Sequence, residues 1–192
     1  MSIGFTIDSS PVVGVILNPF TSHLYTGIRG HGSWRTTLDL PLVEVVKRDK
    51  LPLYRKPLKL NASLIGYCTG VKNEGLKFDM ALAKIRGMLA ADGGAVHGIR
   101  TAGSTALDIC DTACGYLDAK ISTSYAWDVC AAWVILTEAG GYVLSGTQPK
   151  TENGTLVEER DLFVKNFLFI RATGTRTEME RFARDLSRVT DS

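Results

Sequence analysis

The 192-residue sequence is poor in the groups that usually announce a metal or redox centre. It has three histidines, at positions 23, 31 and 97, and four cysteines, Cys68, Cys110, Cys114 and Cys130, none in a C-x-x-C pair. Zinc spacing of the finger or ribbon kind is excluded, and the cysteines read as buried, reduced thiols. Long apolar runs are also lacking. The longest, Val129 to Leu136, falls far short of the roughly 20 residues a bilayer span needs, so no membrane partner is expected. Neither sign of charge is in excess: 22 basic and 20 acidic residues give a net charge of +2. Without a basic stripe, nucleic acid is excluded as a partner. The opening MSIGFTI has no basic n-region, apolar h-region or small-residue cleavage site, so a cytoplasmic location is expected and the sequons at Asn61 and Asn153 count as chance. Neither G-x-x-x-x-G-K-[ST] nor a strand-linked G-x-G-x-x-G occurs, which removes P-loop and dinucleotide modules.

What is present is ordinary globular material, 45% hydrophobic, enough to close a core in one large domain or two small ones. The first thirty residues fall into short apolar blocks, SIGFTI, VVGVIL and LYTGI, separated by turn residues at Asp8 to Pro11, Asn18 to His23 and Arg29 to Ser33, which predicts an antiparallel meander of three strands. From Leu38 to Leu60 the composition turns basic and proline-containing (Pro41, Pro52, Pro57), a surface excursion. Beyond it strand and helix alternate. SLIGYCTG reads as a strand, and Phe78, Leu82, Ile85 and Leu89 as the inward face of a helix stopping near Asp92-Gly93-Gly94. AVHGIR, YLDAKI, GYVLS and FLFIRAT read as strands; residues 104–115, 128–139 and Glu178 to Val189 read as helices. The result is an α/β layered architecture.

Two strand-to-helix junctions could carry chemistry. In AVHGIRTAGSTALDIC, the small-residue turn Ala102, Gly103, Ser104, Thr105 feeds a helix whose apolar face is Leu107, Cys110 and Cys114. Free backbone N–H groups and the helix dipole would favour a phosphate there; the plainer alternative is that Ser104 or Thr105 is only an N-cap. In SYAWDVCAAWVILTEAGG, Asp128 opens an almost wholly apolar helix that runs to Glu138 and Gly140-Gly141. Asp is an ordinary cap, yet a carboxylate beside Trp127 and apolar neighbours is costly to bury unless a cation or several donors satisfy it.

Residues 127–141, WDVCAAWVILTEAGG, resemble a signature of the inositol monophosphatase family: an aromatic, an aspartate, small residues, an apolar run and closing glycines. The resemblance extends over 96–119 and 2–33, and is loose over 34–95 and 147–192. It implies a layered helix-and-sheet sandwich of the sugar-phosphatase kind, with 1–92 the remainder of an N-terminal α+β metal-site domain and 93–192 a C-terminal α/β domain. It implies magnesium-dependent hydrolysis of a phosphomonoester, with Asp128 as metal ligand and substrate contact, and Gly103, Ser104 and Thr105 in contact with a small phosphorylated substrate. A homodimer is likewise implied.

Against the family pattern, the sequence lacks the upstream helical glutamate and the D-P-[IL]-D-G-T motif that supply further metal ligands, so it reads as an N-terminally truncated member missing its first helices and strands. An apolar sheet face would then lie uncovered. The chain as given is expected to be inactive or impaired, with no catalytic residue identifiable in it. Where relatives acting on inositol phosphates often carry a glutamate before the W-D pair, Lys120-Ile121-Ser122-Thr123-Ser124 stands instead, one residue shorter. Ser122 or Thr123 is the candidate weaker partner, which leaves other sugar-alcohol phosphates, histidinol phosphate and 3'-phosphonucleotides open as substrates. The competing expectation is a non-catalytic remnant that associates with a full-length relative.

Overall fold

A computed structural model describes residues 1–39, 44–69, 74–146, 151–152 and 155–190; Pro41 and Asn153 lie outside them. Its first sheet is an antiparallel meander of five strands, β1 (Ser2–Ile7), β2 (Ser10–Asn18), β3 (His23–Ile28), β4 (Gly32–Asp39) and β5 (Glu44–Lys50), in that spatial order. Five strands replace the expected three. The sequence between Leu38 and Leu60, expected to be loop, contributes the end of β4 and all of β5. β5 gave no strand signal because it is an edge strand with no buried face: Val45, Val46 and its charged residues are all turned to solvent or half-covered, so no alternation appears.

The second sheet has the order β7-β6-β8-β12-β9, formed by β6 (Leu64–Tyr67), β7 (Gly98–Arg100), β8 (Ala119–Thr123), β9 (Tyr142–Ser145) and β12 (Asn166–Ile170); the two-residue strands β10 (Thr151–Glu152) and β11 (Thr155–Leu156) pair separately. β6 runs parallel to β7 and β8, and β12 is antiparallel to β8 and β9. The helices are α1 (Leu76–Leu89), α2 (Thr105–Cys114), α3 (Ala126–Glu138) and α4 (Arg176–Thr190). β6 and α1, which the sequence groups with the meander, belong to this second sheet and its outer face.

The layers follow from which side chains each element buries. Along β12, Phe167 and Phe169 join a core with α2 and α3, while the alternate residues Leu168 and Ile170 join a second core with α1 and α4. The order is therefore sheet, α2 with α3, sheet, α1 with α4. α3 is buried from Val129 through Leu136 because it lies between the two sheets, which is why it is apolar all round. α4 needs only one apolar face, Met179, Phe182, Ala183 and Leu186. In α1 the buried residues are Ala81 and Met88, with Ile85 half-buried; Leu82 and Leu89, expected inward, are exposed. The helix is turned by one position, so the smaller Ala81 takes the close contact. Among the described residues no helix is long and apolar enough to cross a membrane.

Glycine at Gly4, Gly14 and Gly27 sets how closely α3 approaches the first sheet. These three are cross-strand partners on β1, β2 and β3. A Cβ on them would stand 2.4 Å from Cys130 Sγ, 2.1 Å from the Ala131 carbonyl oxygen and 2.9 Å from Ile135 Cα respectively. The helix backbone rests in that glycine strip. At its far end Glu138 accepts hydrogen bonds from the N–H groups of Gly30 (2.8 Å) and Gly32 (2.7 Å) in the β3–β4 turn. The opposite face of the same sheet presents Ile3, Phe5, Val13, Val15 and Ile28, and no described layer covers it; Phe5 is 59% exposed.

Candidate functional site

Because β6, β7 and β8 are parallel, their carboxyl ends lie on one edge of the sheet, where ligands of open α/β sheets collect. α2 starts just beyond β7 and α3 just beyond β8, so both helices present their N-termini there. The turn into α2 is fixed by its own chemistry. Thr101 Oγ1 donates to the Tyr67 carbonyl at 2.7 Å, binding the turn to the end of β6. Gly103 has φ +76°, a left-handed conformation that glycine adopts without penalty, and a Cβ there would meet open space. Ser104 is the N-cap, its hydroxyl accepting from Leu107 N–H at 3.4 Å. The plainer reading of Ser104 thus holds: it is the N-cap of α2. The backbone N–H groups of Thr105 and Ala106 have no partner among the described residues.

The structure also joins Thr105 to Ser122. Thr105 Oγ1 lies 3.2 Å from Ser122 Oγ, and Ser124 Oγ donates to Ser122 Oγ at 3.1 Å, giving a chain of three hydroxyls from α2 to the end of β8.

Asp128 sits in the first turn of α3 but not at its cap. Tyr125 is the N-cap, and the Asp128 carboxylate reaches back from the third helical position to accept from Tyr125 N–H at 3.1 Å. Its surroundings differ from the apolar setting the sequence suggests. Asp128 is half-buried, and Trp127 is exposed, stacked on Tyr125 with ring centroids 4.6 Å apart and an 8° interplanar angle. The helix faces its neighbours Val129 and Cys130 inward, and its first turn swings Trp127 out.

Beneath the α2 turn lies an ionic network that none of the motifs above announces. Asp108, in the first turn of α2, accepts from Arg100 at 2.8 Å and from Lys120 Nζ at 2.7 Å; the Asp108 and Lys120 side chains are each 1% exposed. Arg100 also pairs with Asp111 at 2.7 Å. Burial raises the Asp111 carboxyl above its ordinary range, and the Arg100 guanidinium only partly opposes this. The network pins α2 to β7 and β8 and so places Ser104 and Thr105. The signal for it was an acid on a buried helix face and a lysine in the middle of an apolar strand, twelve residues apart, each too costly to bury alone.

Cys110, Cys114 and Cys130 are buried as expected; Cys68 is exposed, because it stands one residue past the end of β6. Nowhere among the described residues do three or more His, Cys, Asp or Glu side chains gather as metal ligands. Asp128 is one carboxylate, already engaged by Tyr125 N–H. Magnesium demands a near-octahedral oxygen shell, so the residues described do not form a magnesium site by themselves.

Known proteins share the sequence and the fold of this chain. The chain is 36% identical over 149 residues to inositol monophosphatase 2 of Saccharomyces cerevisiae, covering 76% of this chain and 47% of the relative. Inositol monophosphatase 1 of the same yeast is 38% identical over 149 residues, covering 77% and 48%. The chain spans about half the length of these curated relatives. Its fold is that of the inositol monophosphatase from Anabaena (Nostoc) sp. PCC 7120, with a TM-score of 0.66 at 24% identity over 97% of this chain and 63% of the other. Residues 1–191 match the model of the inositol monophosphatase family, and the chain belongs to that family.

Proposed function

We propose that this chain carries the phosphate-holding part of a phosphomonoesterase. The observation that carries the reading is the convergence of two helix N-termini, α2 with unpaired N–H groups at Thr105 and Ala106 and α3 with Asp128 in its first turn, on the carboxyl edge of one parallel sheet. The α2 terminus receives phosphate oxygens through backbone donors and the helix dipole. Gly103 keeps the approach open, and Thr105 and Ser122 offer hydroxyls to the ester side. The Arg100–Asp108–Lys120 network holds the turn still while the substrate binds.

Magnesium, when bound, would lower the pKa of a water and neutralise phosphate charge. Asp128 is the residue proposed to contribute to it, but one engaged carboxylate does not complete its coordination, so no hydrolytic step is assigned to this chain and the isolated chain is proposed to be inactive or impaired. Inositol phosphate is the leading substrate, supported by the family and by the names of the two yeast relatives. A cytoplasmic location and a homodimer are proposed on resemblance. The second reading, a non-catalytic remnant associating with a full-length relative, is favoured by the uncovered apolar face around Phe5.

The test is magnesium-dependent phosphate release from inositol 1-phosphate by this chain, a version extended upstream through any acidic motif, and the Asp128→Asn variant of that extended version. Activity in the extended chain alone, abolished by Asp128→Asn, supports the enzyme. Silence in all three, with the protein folded and co-purifying with a full-length relative, supports the remnant.

A further inference from the structure

Between α2 and the first sheet lies a cavity of about 420 Å³, within the range of small-molecule sites. The α2 turn forms one edge of it through Ala102 and Ser104, and Asp111, seven residues beyond Ser104, continues the same helix face. β2 and β3 supply the opposite wall through Asn18, His23 and Tyr25.

Tyr25 is the unusual member. The residue is only 4% exposed, yet its hydroxyl makes no hydrogen bond with any described residue. A phenol buried to that degree ordinarily has a partner. The unpartnered side-chain atoms that are fully sealed from solvent are Ser33 Oγ, Arg35 Nε and Arg100 Nε; the Tyr25 oxygen is unpartnered but not sealed. Burial first, then the neighbouring Cys114, Cys110 and Asp111, raise its pKa well above the ordinary value, so it stays a donor.

Its neighbours are similarly uncommitted. The His23 ring touches Tyr25 edge-on, with centroids 6.1 Å apart, and has no hydrogen-bond partner among the described residues. Burial and then Arg35 lower its pKa, so at neutral pH it offers one donor and one acceptor. Asn18 Oδ1 accepts from Phe20 N–H at 3.1 Å, which leaves the amide N–H groups of Asn18 to donate. The charges of the wall, by contrast, are already matched: Arg35 pairs with Asp49 at 3.3 Å, and Arg100 with Asp108 at 2.8 Å and Asp111 at 2.7 Å. An anion entering here would find no uncompensated cation to offset its desolvation. Free neutral donors and acceptors beside an aromatic ring suit an uncharged molecule with several hydroxyls.

We propose that this cavity is a polyol subsite in which Tyr25, with His23 and Asn18, reads the hydroxyls. The polyol is either the alcohol portion of a phosphoester seated at the α2 turn, in which case the subsite rests on the phosphate-holding reading above, or a free polyol.

Ligand-observed NMR titration of the full chain with myo-inositol, inositol 1-phosphate and inorganic phosphate tests it. Tyr25→Phe removes one hydroxyl and keeps the ring; because that hydroxyl has no partner in the protein, the urea midpoint should not fall. Tyr25→Phe and His23→Ala should each weaken myo-inositol and inositol 1-phosphate roughly three- to tenfold, the contribution of one neutral hydrogen bond, and leave inorganic phosphate unchanged. Weakening of myo-inositol alone would keep the subsite and assign it to a free polyol. Myo-inositol binding that neither variant changes, or inorganic phosphate weakened as much as the polyols, overturns the proposal. Binding of inorganic phosphate without myo-inositol overturns the subsite and leaves the phosphate turn standing; the reverse, sensitive to Tyr25→Phe, keeps the subsite and sinks the phosphate turn. No binding of any of the three sinks both.

Discussion

Gly14 meets the carbonyl of Ala131 so closely that a methyl group at position 14 would stand 2.1 Å from that oxygen. The obstacle is helix backbone, which cannot rotate aside as a flexible side chain can. Gly14→Ala is therefore expected to push α3 off the first sheet and destabilise by about 1–3 kcal/mol or more, the usual cost of overpacking. Gly98→Ala is the control, since its Cβ would meet only Leu64 Cδ1, at 3.4 Å. Urea unfolding of both should show a lowered midpoint for the first and little change for the second; matched midpoints would refute the close packing of α3.

Much of this was legible in the sequence where local pattern and burial agree. The helices over 104–115 and 128–139 and the strands AVHGIR, YLDAKI, GYVLS and FLFIRAT appear as read, within a few residues at their ends. What stayed hidden depends on which elements meet. β5 exists because β4 offers it an edge, and no periodicity inside Glu44–Lys50 reports that. The glycine strip becomes visible only when register places Gly4, Gly14 and Gly27 side by side. Of the site, Gly103, Ser104 and Thr105 fall at the predicted helix start, and Ser122 is joined to Thr105. Asp128 was placed in the right turn with the wrong surroundings, because sequence adjacency to Trp127 does not say which way a helix turns its tryptophan.

Asp108 and Lys120 are a buried pair in which each charge depends on the other. Asp108→Ala leaves the Lys120 ammonium and part of the Arg100 guanidinium without their carboxylate, and is expected to cost about 3–5 kcal/mol. Lys120→Met should cost less, because Arg100 remains beside Asp108. The double variant Asp108→Ala, Lys120→Met should lose less than the sum of the two single changes, since neither charge is then left buried without the other. A denaturation cycle that proves strictly additive would show that the two charges are not coupled.

The thiol of Cys114 is pushed from its ordinary 9.0 up to about 12, by burial first and by the nearby Asp111 second. Burial also lifts Cys110 well above its ordinary value. On unfolding both thiols ionise near pH 9, while the folded chain keeps its protons. The unfolded state then binds fewer protons, so this contribution is intact below about pH 9 and lost progressively toward pH 12. Thermal unfolding should show a midpoint that falls over that range, and Cys114→Ala should start lower at neutral pH yet fall less steeply. In a companion measurement, iodoacetamide at about pH 8 should label Cys68 in the native chain and every cysteine in urea.

Ile3 and Phe5 lie on the sheet face that no described layer covers, opposite the side gripped by α3. An apolar surface of that kind binds hydrophobic dyes and drives concentration-dependent association. Replacing both with threonine puts β-branched residues on the strand while removing the apolar surface. Because neither side chain is packed against the core, the change should leave the stability within about 0.5 kcal/mol of the parent. Dye fluorescence and light scattering should both drop. A double variant that unfolds, or that binds as much dye as the parent, would mean that these side chains are covered in solution and that the first sheet is already sealed on both faces.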